Sequence, residues 1–121
     1  MFGTGPTVVP YGRSGKLRLV ATASEQRSKS LPELPTVRET LPGVLVSAWY
    51  GMQVPARTPK DIVSRLNAAI VKAVATERVA RSIVASGLEP VTNTPEQFGA
   101  YIREQTVTWG KVARAARIPV E

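Results

Sequence analysis

The densest gathering of residues able to hold a polar ligand is Ser47-Ala48-Trp49-Tyr50-Gly51. A serine hydroxyl, an indole N–H and a phenol can each donate a hydrogen bond to an anionic oxygen, while the two ring faces flank an apolar spacer. Ser47, Trp49 and Tyr50 are therefore the candidate substrate-binding residues. The same letters have a purely structural account. On a strand, Trp49 and Tyr50 face opposite ways, so one ring can fill a core while Gly51 eases a bend. On the residues alone that structural account weighs more.

Catalytic chemistry has few carriers here. The chain contains no His and no Cys, which removes imidazole bases, thiol nucleophiles, disulfides and the commonest transition-metal ligands. Gly15-Lys16 does not make a phosphate loop, because Pro10 stands where the first glycine belongs and Leu17 where the hydroxyl belongs. Ser14 near Lys16 and Ser28 beside Lys29 lack the strand-to-helix elbow of a serine nucleophile. Asp61, Glu77 and Glu96 stand at helix starts, where capping and the macrodipole account for them, whereas Glu33 and Glu39 are free to face a pocket. The expectation is a protein that is not an enzyme and that needs neither metal nor cofactor.

The net charge is +7 over 121 residues, and it is uneven. Residues 1–29 hold five basic side chains (Arg13, Lys16, Arg18, Arg27, Lys29) against Glu25. Residues 61–121 hold eight basic and six acidic groups, with Asp61/Arg65 and Glu77/Arg81 at i,i+4 spacing. A basic nucleic-acid-binding module centred on residues 11–29 is thus one alternative, weakened by a single interleaved aromatic, Tyr11. Exposed basic residues flanking a buried strand are the simpler account.

The elements that must position these residues follow from punctuation and period. Residues 1–15, with four Gly and two Pro, read as a flexible N-terminal segment. Leu17–Ala23 and Val44–Val54 read as strands, separated by a proline-rich stretch that allows only a short turn around Thr36–Glu39. Thr58-Pro59-x-Asp61 starts a helix whose Ile62, Leu66, Ile70 and Val74 make one apolar stripe. A second helix runs over Glu77–Ser86 with Val79, Ala80, Ile83 and Val84 inward, and Gly87 in position to take the left-handed conformation that ends it. Thr94-Pro95-Glu96-Gln97 opens a third, which buries Phe98, Tyr101, Ile102, Trp109, Val112 and Ala116. Two strands are too few for three amphipathic helices, so the order reads as an incomplete α/β fold.

Further motifs carry a family resemblance. Gly15-Lys16-Leu17-Arg18, Leu34-Pro35-Thr36-Val37-x-Glu39, Leu41-Pro42-Gly43, Trp49-Tyr50-Gly51, Pro55 and Thr58-Pro59 occur in order. Ile62-Val63-x-Arg65-Leu66-Asn67, Gly87-x-Glu89-Pro90-Val91, Thr94-Pro95-Glu96-Gln97-Phe98 and Trp109 follow. Over residues 9–121 the chain resembles the C-terminal part of the Bug (TctC-like) receptors, the extracytoplasmic solute-binding proteins of tripartite tricarboxylate transporters.

The resemblance implies an incomplete periplasmic-binding-protein-like (Venus-flytrap) fold with two main strands and three amphipathic helices. Residues 16–43 would be a remnant of the second lobe, 44–54 a strand crossing the hinge, and 55–121 the helical end of the first lobe. It implies a receptor for small carboxylate solutes that delivers them to membrane permease subunits, periplasmic in location. The written chain has no signal peptide at Met1 and by itself would stay cytoplasmic, as a truncated fragment with weak binding or without activity. Two positions depart from the family pattern: Glu39-Thr40-Leu41-Pro42-Gly43 is shortened, and Arg57 stands where glycine is usual.

Overall fold

The computed structural model describes residues 1–118. Four helices form, α1 Gly5–Arg13, α2 Lys60–Val74, α3 Glu77–Ala85 and α4 Pro95–Ala115, together with a 3₁₀ turn at Val37–Glu39. The described residues divide into two units, one of residues 1–54 and 72–91, the other of residues 55–71 and 92–118.

In the first unit, the segment expected to be flexible is largely α1. Thr4 stands at its N-cap and Pro6 in its first turn, where a missing N–H costs nothing. Its glycines serve close approach instead of freedom. A Cβ at Gly5 would lie 2.6 Å from Gly87 O and 2.9 Å from Ser86 O, so only glycine lets the start of α1 meet the end of α3. Further along the same face, Val9 is 1% exposed, and the Arg13 guanidinium donates to Ala85 O at 3.2 Å, supplying a partner to a carbonyl that the last turn of α3 leaves unsatisfied.

Helix α3 itself ends as its sequence requires. Gly87 takes φ +73°, Gly87 N donates to Val84 O and Leu88 N to Ile83 O, the paired bonds of a Schellman termination. Val79, Ala80 and Ile83 are half-buried, whereas Val84 is exposed.

The two expected strands do not form. Among the described residues the one β interaction is an isolated parallel bridge between Thr22 and Thr36, built from Thr22 N to Pro35 O at 2.9 Å and Val37 N to Thr22 O at 2.8 Å. Residues 17–23 and 44–54 have the β-branched and apolar content of strands, but a strand exists only against a neighbour, and these segments have no ladder partner among the described residues.

In the second unit, α2 begins one residue later than the Thr58 cap predicts, with Val63 N donating to Pro59 O. Arg57 lies in the turn closed by Thr58 N to Pro55 O and is not left-handed, so the loss of glycine there carries no backbone strain. Helix α4 starts as expected: Gln97 N donates to Thr94 Oγ1 at 3.2 Å and Thr94 N to Gln97 Oε1 at 2.9 Å. Asn67 on α2 donates to Asn93 O at 2.9 Å just before that cap. The stripes are less covered than their period predicts. Ile62 and Leu66 on α2 and Trp109, Val112 and Ala116 at the end of α4 are exposed, while Phe98, Tyr101 and Ile102 are half-buried.

Helix α4 ends with Arg117 at φ 54°, where Arg117 N donates to Arg114 O and Ile118 N to Ala113 O. A non-glycine residue in that conformation costs about 1 kcal/mol net of glycine's entropy. Arg117→Gly is therefore expected to stabilise this end of α4 by about that amount, read as slower amide exchange at Arg117 and Ile118.

The total accessible surface is 9874 Å². Two separate compact bodies of these unit sizes would expose roughly 7,600 Å². Among the described residues Val9 is the one buried apolar side chain and Thr36 the one buried polar residue. The exposed stripes and the segments outside any ladder leave apolar surface that the described residues do not cover.

Candidate ligand-binding site

The candidate residues sit beside a polar frame in the first unit. Thr36, 4% exposed, is held by the bridge to Thr22. One turn on, Glu39 returns its carboxylate to Thr36: Oε1 accepts from Thr36 N at 2.8 Å and from Thr36 Oγ1 at 3.3 Å. The other side of that carboxylate is taken by Arg27, whose Nε donates to Oε1 at 2.9 Å and whose terminal nitrogen donates to Oε2 at 2.6 Å. This two-pronged geometry is the strongest form of carboxylate–guanidinium contact. Arg38 pairs with Glu25 at 3.4 Å beside it. The Ser24 hydroxyl donates to Thr22 Oγ1 and Gln26 O, which closes the loop after the bridge.

Hydrogen bonds from Arg27 first and Thr36 N second bring the Glu39 carboxyl down from its ordinary 4.5 to about 2. A carboxyl depressed on folding stabilises the folded form fully above its unfolded value and progressively less as pH falls through its folded value. The ordering that Glu39 gives residues 22–39 is thus expected to be complete above about pH 5 and to fade toward pH 2. A carboxyl-carbon NMR titration checks it: a Glu39 midpoint near the ordinary 4.5 would mean that the Arg27 clasp is absent in solution.

The segment carrying the candidate residues leaves this frame at one tie, Val46 N to Ala23 O at 3.1 Å. Beyond it Ser47 is exposed, Trp49 is 38% exposed and Tyr50 64%. The Tyr50 ring is therefore in no core formed by the described residues, and Trp49 is the less exposed ring of the pair. One hydroxyl, one indole N–H and one phenol stand on an uncharged stretch, a set that can bind and orient an anion and that contains no nucleophile–base pair.

The other candidates separate. Glu33 lines a shallow cleft of about 440 Å³ with Arg13, Arg18 and Leu31 among its walls, whereas Glu39 is committed to Arg27 and Thr36. Glu89 accepts from Lys29 N at 3.2 Å and lines a smaller cleft of about 220 Å³. Gly15 at φ +73° ends α1, with Lys16 N donating to Tyr11 O, so it is a helix terminus and no phosphate cradle. The Ser14 hydroxyl donates to Tyr11 O, and that of Ser28 is hydrogen-bonded to Ser30. Among the described residues Glu77–Arg81 forms an exposed ion pair at 3.4 Å, and Asp61–Arg65 does not. No group of three His, Cys, Asp or Glu side chains able to hold a metal occurs among the described residues, and no helix there is long and apolar enough to cross a membrane.

The Arg27–Glu39 clasp was not visible in the sequence. Thr36-x-x-Glu39 is a recognisable capping spacing, but nothing local marks Arg27 as the partner.

The comparisons with known proteins agree with one another. The family model of the tripartite tricarboxylate transporter family receptor matches residues 1–118. Protein BugT of Bordetella pertussis is 34% identical over 110 residues, which are 90% of this chain and 34% of that protein. A UPF0065 protein of Bordetella bronchiseptica is 28% identical over 92% of this chain and 33% of its own length. The chain thus spans about a third of the length of these two relatives. Among solved structures, R. palustris Rpa4515 with adipate superposes with a TM-score of 0.84 at 27% identity, over 92% of this chain and 38% of that one. A structure described as a periplasmic transporter gives 0.85 at 32% identity, over 96% and 39%. With the family model covering nearly every residue, the chain belongs to the tripartite tricarboxylate transporter receptor family.

Proposed function

We propose that this chain is one portion of a solute-binding receptor of the Venus-flytrap type, which captures small carboxylates in the periplasm and presents them to a membrane permease. The observation that carries the reading is the likeness, at a TM-score of 0.84 over 92% of the chain, to a receptor solved with the dicarboxylate adipate. Two features of this chain support it. A net charge of +7 draws a dianion toward the surface. The exposed Ser47 hydroxyl and Tyr50 phenol offer neutral donors beside the Trp49 ring, and such donors hold a carboxylate without the desolvation cost of a buried ion pair. In this reading 44–54 is the strand that crosses between the lobes.

The chain alone carries only part of such a cleft and is expected to bind adipate weakly or not at all. The decisive comparison uses a chimera in which residues 9–118 replace the matched segment of an intact relative. Titration calorimetry should show adipate binding by the chimera, weakened about tenfold or more by Trp49→Ala, the loss of roughly 1.4 kcal/mol. A folded chimera that binds adipate equally well with Ser47, Trp49 and Tyr50 all replaced by alanine would remove these residues from the site. Micromolar binding by the 121-residue chain itself would refute its reading as a partial site.

A further inference from the structure

The turn that carries Glu39 leads directly into the candidate segment. Leu41 N donates to Val37 O at 2.8 Å and Val44 N to Leu41 O at 3.2 Å, with Gly43 at φ +93° between them. Two residues later Val46 N donates to Ala23 O at 3.1 Å, beside Thr22, the residue bridged to Thr36. The bridge, the two turns and the tie to Ala23 thus join residues 22–46 into a closed frame, and Ser47 is the first residue beyond it.

Side-chain hydrogen bonds, more than burial, hold this frame. Glu39 Oε1 accepts from Thr36 N, Thr36 Oγ1 and Arg27 Nε, and Oε2 accepts from the second Arg27 nitrogen. The guanidinium therefore fixes both oxygens of the carboxylate, and the carboxylate holds the bridge residue. Arg27 is itself held, because Lys29 N two residues on donates to Glu89 Oε1 at 3.2 Å. Arg38 offers a contrast. It pairs with Glu25 through a single contact of 3.4 Å that does not involve the bridge. The Arg27 and Glu39 side chains are 53% and 42% exposed, and an exposed pair adds little to overall stability. The consequence of the clasp lies in the direction it gives the chain.

We propose that Arg27 is a positioning residue for ligand capture: through Glu39 and the Thr22–Thr36 bridge it sets the point from which Ser47, Trp49 and Tyr50 leave the frame, and with it the affinity for a dicarboxylate. The proposal rests on the reading of those three residues as the ligand segment. Its physical basis is preorganisation, since a segment ordered before the solute arrives spares that ordering cost on binding. The guanidinium acts at a distance, with its Nε and one terminal nitrogen committed to Glu39.

Two measurements test it, one without ligand. The chain has two tryptophans. Trp109→Phe leaves Trp49 as the one indole, and Trp49→Phe leaves Trp109, on α4 in the other unit. Arg27→Ala should lower the fluorescence anisotropy of Trp49, with that of Trp109 and the helical circular dichroism unchanged. Arg27→Lys, which keeps the charge but not the fork, should restore only part of it, and Arg38→Ala should change nothing. The second measurement is adipate calorimetry on the chimera. Arg27→Ala should weaken binding about fivefold or more, but less than about twofold where Ser47→Ala and Tyr50→Phe have already removed the groups it positions.

Trp49 anisotropy unchanged by Arg27→Ala, or lowered as much by Arg38→Ala, would overturn the positioning itself. An equal loss of affinity with and without Ser47→Ala and Tyr50→Phe would overturn its link to the ligand. Adipate binding indifferent to Ser47 and Tyr50 would overturn the ligand-segment reading and the affinity claim with it, while the Trp49 readout still decides whether Arg27 positions the segment.

Discussion

Gly87→Val is expected to destabilise the α1–α3 junction by about 2–5 kcal/mol, through two costs that act at one atom. Gly87 lies at φ +73°, where an L side chain costs about 1–2 kcal/mol and a β-branched one more. Its Cβ would also stand 2.7 Å from a methyl of Val9 and 3.4 Å from Gly5 Cα. Overpacking of that kind typically costs about 1–3 kcal/mol, and the backbone of α1 gives little room to yield. Gly43→Ala separates the two terms, because Gly43 has φ +93° with nothing within 4 Å of its Cβ position. It should show the conformational cost alone, about 1 kcal/mol. Urea unfolding of the three proteins, with amide exchange at Val8 and Val9 as a local probe of α1, checks the ordering. Equal midpoints for Gly87→Val and Gly43→Ala would show that α1 is not docked on Gly87 in solution.

What the sequence reveals, and what it hides, divides by the range of the interaction. The start of α4 is a four-residue affair, so Thr94, Pro95 and Gln97 declare it, and the structure places each bond where the capping pattern requires it. The end of α3 is equally local, set by Gly87. Helix α1 was hidden because glycine has two uses that look alike in a sequence. Four glycines in fifteen residues suggest freedom, yet Gly5 is required by the carbonyl of a residue 82 positions away. The strands failed for a related reason: β-branched content marks a segment that fits a sheet, but the partner supplies the ladder, and none is present among the described residues.

The site divides in the same way. Ser47, Trp49 and Tyr50 stood out by composition, because two aromatics beside a hydroxyl in an uncharged run are unusual in a chain with 6% aromatic residues. The frame that holds the segment's start was only half legible. Glu39 is three residues from Thr36, a spacing that a reader can check, whereas Arg27 is 12 residues from Glu39 and reaches it only once the Thr22–Thr36 bridge has folded the loop.

Val9→Asp should be the most damaging single change in the chain, at about 3–5 kcal/mol. Val9 is 1% exposed and is the one buried apolar side chain among the described residues, so its loss forfeits roughly 1.5–3 kcal/mol of burial. The incoming carboxyl adds a desolvation penalty of about 1–3 kcal/mol, and pairing with Arg13 one turn on would take that guanidinium from Ala85 O. The consequence is structural as well as energetic. Helix α1 has only nine residues and carries Pro10 inside it, too short and too interrupted to persist without docking. Undocking it also frees Arg13 from Ala85 O and leaves the end of α3 without its cation. The same substitution at Val107, 57% exposed on α4, has little burial to lose and is expected to fall within about 0.5 kcal/mol of the parent. Urea unfolding of the two variants decides between a chain organised around one docked residue and one whose stability is spread evenly. Similar losses at Val9 and Val107 would establish the second, and the first requires the loss at Val9 to be several-fold larger.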